Sequence, residues 1–160
     1  MKYSHKDLVE IGYKWLLSRC GFAFKELNAF TTHGEIPDVI GFRHDCSILL
    51  EAKTSRADFH ADKKKLFRNY PEWGMGGHRF YICETDLIKP DDLPEGWGLI
   101  YVNDKGRVRV KIKQYKGNNY YQNQFAEYNK EDEKALMYSA LRRLHIRGRL
   151  PEIYMGIPKE

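Results

Sequence analysis

Gly34-Glu35-Ile36-Pro37-Asp38-Val39-Ile40-Gly41-Phe42, followed across the turn Arg43-His44-Asp45 by Ser47-Ile48-Leu49-Leu50-Glu51-Ala52-Lys53, is the stretch on which the reading of this chain turns. Ile36 to Phe42 and Ser47 to Lys53 read as two strands joined in a hairpin. The unbroken apolar run Ile48-Leu49-Leu50 marks the second as a central strand buried on both faces. Charge returns only at its end. Side chains alternate along a strand, so Glu51 and Lys53 share one face while Ala52 points away, and the hairpin brings Asp38 alongside them. Twelve residues separate Asp38 from Glu51.

Two carboxylates and a backbone carbonyl, here that of Ala52, make the oxygen-rich site that Mg²⁺ or Mn²⁺ accepts, with water and phosphate oxygens completing the shell. Such an ion polarises phosphorus and acidifies its bound water. Lys53 beside it is placed to orient that water or to balance charge on the phosphate oxygens. Phosphodiester hydrolysis is the reaction this chemistry suits. A Glu and a Lys two apart on a strand can also form a plain surface pair worth well below about 1 kcal/mol. The apolar run leading straight into Glu51 argues against that, because an unpaired charge at the end of a core strand costs stability.

Outward from this stretch, Leu8, Ile11, Trp15 and Leu16 recur at helical spacing from His5 to Cys20, with Ser4 as N-cap and Gly21 as stop. Phe22 to Leu27 reads as a strand. Ser55-Arg56-Ala57-Asp58 has the form of a capping box and opens a helix expected to run to about Arg68. Tyr70 to Gly77 is loop, and Arg79 to Cys83 and Gly98 to Val102 are two more strands, separated by a proline-bounded segment. From Arg107 to Lys113 apolar Val108, Val110 and Ile112 alternate with basic residues. Lys130 to Arg147 is the longest helix, with Leu136, Met137, Ala140, Leu141 and Leu144 as its apolar stripe and Gly148 as its end. The fold class is therefore α/β, a mixed central sheet flanked by helices in the order α-β-β-β-α-β-β, with an added basic strand and a C-terminal helix.

The chain has 160 residues, the size of one ordinary domain, and 42% hydrophobic content including 11 Tyr, 8 Phe and 3 Trp, enough for a real core. Wholesale disorder is excluded. No window reaches the length of a membrane span, and the start lacks an apolar signal segment, so a cytoplasmic protein is expected. Cys20, Cys46 and Cys83 form no C-x-x-C pair, which speaks for small buried hydrophobes and against a structural zinc cluster. Charge is uneven: residues 1–104 hold 14 Lys and Arg against 16 Asp and Glu, whereas residues 105–160 hold 13 against 6. A basic C-terminal part suggests a polyanionic partner, most simply nucleic acid, although solubility alone also explains it.

The pair Pro37-Asp38 with Glu51-Ala52-Lys53 resembles the PD-(D/E)xK nuclease superfamily. A closer similarity is to MmcB-like DNA repair nucleases and related phage proteins, through Glu51-Ala52-Lys53-Thr54-Ser55-Arg56-Ala57-Asp58-Phe59, Asp62-Lys63-Lys64 and Leu93-Pro94-Glu95-Gly96-Trp97-Gly98-Leu99-Ile100. The likeness covers roughly residues 5–102. It implies a restriction-endonuclease-like core over residues 1–104, to which the basic strand, aromatic linker and C-terminal helix of residues 105–160 are added. It further implies metal-dependent cleavage of DNA, with Asp38 and Glu51 as metal ligands and Lys53 as the catalytic lysine. The superfamily often adds a further acid, for which Glu26 is preferred here over Glu10, which lies nearly opposite its helix's apolar stripe, and over Glu35, a loop residue expected to be less firmly held.

Expected nucleic-acid contacts come from two places. The helix after Lys53 offers Ser55, Arg56, Lys63 and Lys64, with Ser55 and Asp58 equally readable as its cap and the lysines as solvated. Arg107, Arg109, Lys111 and Lys113 recur every second residue, about 7 Å apart, a comb that can follow a phosphate chain or simply keep an edge strand soluble. Tyr115, Tyr120, Tyr121, Phe125 and Tyr128 would suit base stacking or packing of the last helix. Three functions share these features: a deoxyribonuclease, a noncatalytic DNA-binding module, and an RNA-processing nuclease with the same site. A homodimer would suit cutting of both strands, a point the sequence leaves open.

Overall fold

A computed structural model describes residues 2–117 and 125–157. The first helix, α1 (His5–Leu17), opens on a capping box: Ser4 Oγ accepts from the Asp7 N–H and Asp7 Oδ2 accepts from the Ser4 N–H. It buries Leu8, Val9, Gly12, Trp15 and Leu16. A Cβ on Gly12 would sit 3.0 Å from Leu50 Cδ1, so glycine lets α1 lie directly on the central strand. The helix stops at Leu17 instead of Cys20, where the chain turns through Ser18 and Arg19 into β1 (Phe22–Lys25).

Six strands form one sheet in sequential order: β1, β2 (Val39–Phe42), β3 (Ser47–Lys53), β4 (His78–Glu84), β5 (Gly98–Val102) and β6 (Val108–Ile112). The β1–β2, β2–β3 and β5–β6 pairs are antiparallel, whereas β3, β4 and β5 run parallel. Every residue of β3 is buried, as its apolar run requires. Ile48, Leu50 and Ala52 face the α1 side with Ile82 and Ile100, while Leu49 joins Tyr81, Leu99 and Phe59 on the other. Glu51 and Lys53 therefore end on the second face. Gly98 permits the tightest crossing in the sheet, since a Cβ there would stand 2.3 Å from the Phe80 ring.

The segment expected as one helix from Ser55 to Arg68 is two: α2 (Arg56–Asp62) and α3 (Leu66–Asn69). The break at residues 63–65 turns Arg68 inward, where it meets three buried acids. The last helix, α4 (Lys130–Ile146), packs Leu136 and Met137 of its apolar stripe on the core but not Leu141. Its buried residues are Asp132, Glu133 and Leu136, whereas Leu141 is 48% exposed. Glu133 Oε1 accepts from Ser47 Oγ (2.6 Å) and Gly76 N (2.9 Å), and Asp132 Oδ1 accepts from Thr32 N, so hydrogen bonds as well as Leu136 seat this helix. Among the described residues no helix is long and apolar enough to cross a membrane.

Candidate functional site

Strand β2 begins at Val39, paired with Leu50, so the ladder has run out by Ala52 and the Ala52 N–H needs another acceptor. Asp38 supplies it: its Oδ2 accepts from Ala52 N at 2.7 Å. One residue before the strand, Asp38 is thereby fixed at the tip of the sheet beside Glu51 and Lys53. The Asp38 carbonyl in turn accepts from Glu26 N at 3.0 Å, and Glu26 adopts a left-handed backbone (φ 46°), an uncommon conformation for a non-glycine residue. These bonds place the Glu26 side chain next to Asp38. From α1, His5 Nε2 stands 3.4 Å from both Glu26 Oε1 and Asp38 Oδ1.

Glu51 and Lys53 are buried, so their pairing is not a solvated surface bridge. Lys53 Nζ lies 3.4 Å from Glu51 Oε2, 3.4 Å from Asp62 Oδ1 and 3.9 Å from Asp58 Oδ1. Arg68, buried with them, contacts Glu35 Oε1, Glu51 Oε1 (3.0 Å) and Asp62 Oδ2 (3.0 Å). The contact to Glu51 is close without being a hydrogen bond. Tyr81 Oη donates to Asp62 Oδ2 at 2.9 Å, and Lys65 reaches the other oxygen at 2.7 Å.

Burial sets the charge states. Desolvation, reinforced by Glu51, pushes the Asp38 carboxyl up to about 7, against the opposing pull of the Ala52 N–H, His5 and Lys53. Burial alone would lower Lys53, but Glu51, Asp62, Asp58 and Asp38 more than offset it and raise its pKa, so the ammonium stays charged. Asp62 goes the other way from Asp38: burial is outweighed by Arg68 and Lys53, and its carboxyl is held far below the usual range. Two acids that both feel the Lys53 ammonium thus differ sharply in how readily they take a proton.

The expected third acids separate cleanly. Glu26 reaches Asp38. Glu10 is on the surface, paired with Lys25. Glu35, expected to be loosely held in a loop, is instead among the most buried acids, bound by Arg68 and by the Met75 N–H (2.6 Å). Its loop origin is overridden by these bonds, which also direct it away from solvent. Ala52 takes part through its N–H. His5 and Arg68 were not singled out from sequence: His5 appears there only as the first residue of a helix, and Arg68 only as the end of one.

Of the expected nucleic-acid contacts, Ser55 is used as a cap, its Oγ accepting from Asp58 N, and α2 is only seven residues long. Arg56 bonds Asp92 (2.9 Å) and Leu87 O, and Lys63 bonds Asp92 O, so both pin the segment before β5. Lys63 is therefore not merely solvated, whereas Lys64 is exposed. Lys113 donates to Gly117 O. Arg107, Arg109 and Lys111 line a groove of about 510 Å³ with Thr85, Asp86, Tyr101 and Asn103. Sheet register puts Lys53, Cys83, Tyr101 and Arg109 in one row on one face, with the Arg109 backbone roughly 14 Å from that of Lys53. Tyr115 and Phe125 pack into the core, while Tyr120 and Tyr121 lie outside the described residues. Cys46 and Cys83 are buried, Cys20 is half-buried, and all three are free.

No protein-family model and no curated protein matches the sequence. Among solved structures, the chain is similar to the SPO1766 protein of unknown function from Silicibacter pomeroyi, with 22% identity and a TM-score of 0.58 over 99% of this chain and 100% of that one. That likeness extends to the fold: a mixed six-stranded sheet flanked by helices.

Proposed function

We propose that the protein is a divalent-metal-dependent phosphodiesterase acting on DNA, built on a restriction-endonuclease-like core. The observation that carries this reading is the junction of Asp38, the Ala52 N–H and the Glu51–Lys53 pair at the tips of β2 and β3. The donor chemistry fits a cation at Asp38 and Glu26, which offer carboxylate oxygens at an open edge with side chains 16% and 54% exposed, whereas Glu51, expected as a ligand, is 3% exposed and has Arg68 on one oxygen and Lys53 on the other. An ion bound there would polarise the phosphoryl group and lower the pKa of its water.

The chain's own residues do the rest. Lys53, held cationic by its carboxylate neighbours, is placed to offset negative charge on the phosphate oxygens. Arg68 keeps Glu51 and Asp62 in position, so that Lys53 has one defined direction to point. The groove at Arg107, Arg109 and Lys111 lies on the same face and at the same end of the sheet, a place for phosphates flanking the one attacked.

The test is cleavage of plasmid, single-stranded and branched DNA with Mg²⁺ or Mn²⁺, comparing wild type with Asp38→Ala and Lys53→Ala. Loss of cutting in both variants and in EDTA is expected, and equal activity in all three proteins would discard the assignment. One observation favours a second reading, a noncatalytic DNA-binding module: Arg68 and Lys53 already occupy both Glu51 oxygens with positive charge. Salt-dependent DNA binding without carboxylate-dependent metal binding or cutting would establish it.

A further inference from the structure

Three side chains that could ligate a cation meet from three different elements: His5 from the start of α1, Glu26 just past β1, and Asp38 just before β2. One ligand atom from each lies within 4.8 Å of the others. The two distances from His5 Nε2, both 3.4 Å, are longer than an ordinary N–H···O hydrogen bond, which spans about 2.7–3.2 Å. Within ion-pair range, these two separations also equal the spacing of ligands around a small ion. Ligands about 2.1 Å from a tetrahedral ion are separated from each other by roughly 3.4 Å. His5 and Glu26 are about half exposed, so an ion can reach the cluster from solvent and keep an open coordination position.

An imidazole nitrogen changes which cation such a site prefers. Mg²⁺ is a hard ion that favours oxygen and sheds water reluctantly, whereas the later first-row ions accept nitrogen readily and bind mixed sites more tightly. We infer that His5, Glu26 and Asp38 form a mixed nitrogen–oxygen cation site selective for a first-row transition ion over Mg²⁺. The inference rests on the reading of Asp38 as a cation ligand and adds to it the identity of the third donor and the class of ion.

The experiment titrates Co²⁺ and, separately, Mg²⁺ into the full chain by calorimetry and visible absorption, using wild type, His5→Gln and Asp38→Asn. Wild type should bind Co²⁺ at least about tenfold more tightly than Mg²⁺, and His5→Gln should lose most of that preference while its Mg²⁺ affinity changes less than about twofold. Selective paramagnetic perturbation of the His5 ring proton signals by Co²⁺ in wild type supplies a readout that needs no variant. An unchanged Co²⁺ to Mg²⁺ ratio in His5→Gln, or undisturbed His5 signals in the metal-bound protein, would overturn the inference. If Asp38→Asn still lost Mg²⁺ binding in that case, the phosphodiesterase reading would stand. Failure of wild type to bind either ion would remove both.

Discussion

Replacing Asp38 by Asn should make the metal-free protein more stable at alkaline pH. The carboxyl's pKa rises from 3.8 to about 7 because burial, and then Glu51, disfavour its ionised form. A group whose folded pKa lies above its unfolded value stabilises the fold fully below the unfolded pKa, and that contribution is lost as pH rises through the folded one. For Asp38 the loss runs from about pH 4 to about pH 7. At about 1.4 kcal/mol per pKa unit, a shift of about three units amounts to roughly 4 kcal/mol by pH 8. Asn keeps the shape and the acceptor for the Ala52 N–H but carries no charge. Because the attraction to His5 and Lys53 is already contained in that shift, a gain of up to about 4 kcal/mol is expected at pH 8, shrinking toward zero near pH 4. Urea denaturation in EDTA at several pH values measures it. A stability difference that does not vary with pH, or an Asn variant weaker than wild type at pH 8, would refute the argument that this carboxylate is held against a desolvation cost.

Three other perturbations have defined outcomes. Arg68→Met removes the guanidinium that contacts Glu35, Glu51 and Asp62 together, leaving Lys53 and Lys65 for the last two, and should cost about 3–5 kcal/mol in chemical denaturation, with a loss under about 1 kcal/mol contradicting the buried network. Gly98→Ala drives a methyl group to 2.3 Å from the Phe80 ring and 2.8 Å from Ile112 O, so at least about 2 kcal/mol of destabilisation should appear in thermal or urea melts. If the protein acts on DNA as proposed, changing Arg107, Arg109 and Lys111 together to Gln should weaken DNA binding and make the slope of log affinity against log salt shallower by about 2–3, while leaving the fold's circular dichroism unchanged. An unaltered slope would assign those residues to solubility alone.

The sheet was legible because its signals are local. Ile48-Leu49-Leu50 can be satisfied only by a strand covered on both sides, and the alternation of Val108, Val110 and Ile112 with basic residues appears directly in the one-sided burial of β6. The meeting of Asp38 with Glu51 and Lys53 follows from hairpin geometry and was equally readable. What escaped was pairing through space. Nothing about His5 at the first turn of a helix says that Glu26, across a strand, will face it. Glu35 looked free because loops usually are, yet a guanidinium 33 residues later binds it. The apolar stripe of α4 holds at Leu136 and Met137, which pack on the core, and fails at Leu141, while nothing in it announces that Asp132 and Glu133, polar by type, find buried partners in Thr32, Ser47 and Gly76. Helical periodicity reports which face a residue occupies and is silent about which polar groups will be waiting there.

Arg68 belongs to α3, a helix of only four residues, yet it grips a loop acid, a strand acid and the last residue of α2. A guanidinium that serves three masters cannot follow one of them without abandoning the others. Together with Arg79, whose guanidinium bonds the carbonyls of Pro71, Gly74 and Gly76, it holds the connection between β3 and β4 in place, and the β3 tip inherits that immobility: whatever docks there meets a surface already set before it arrives.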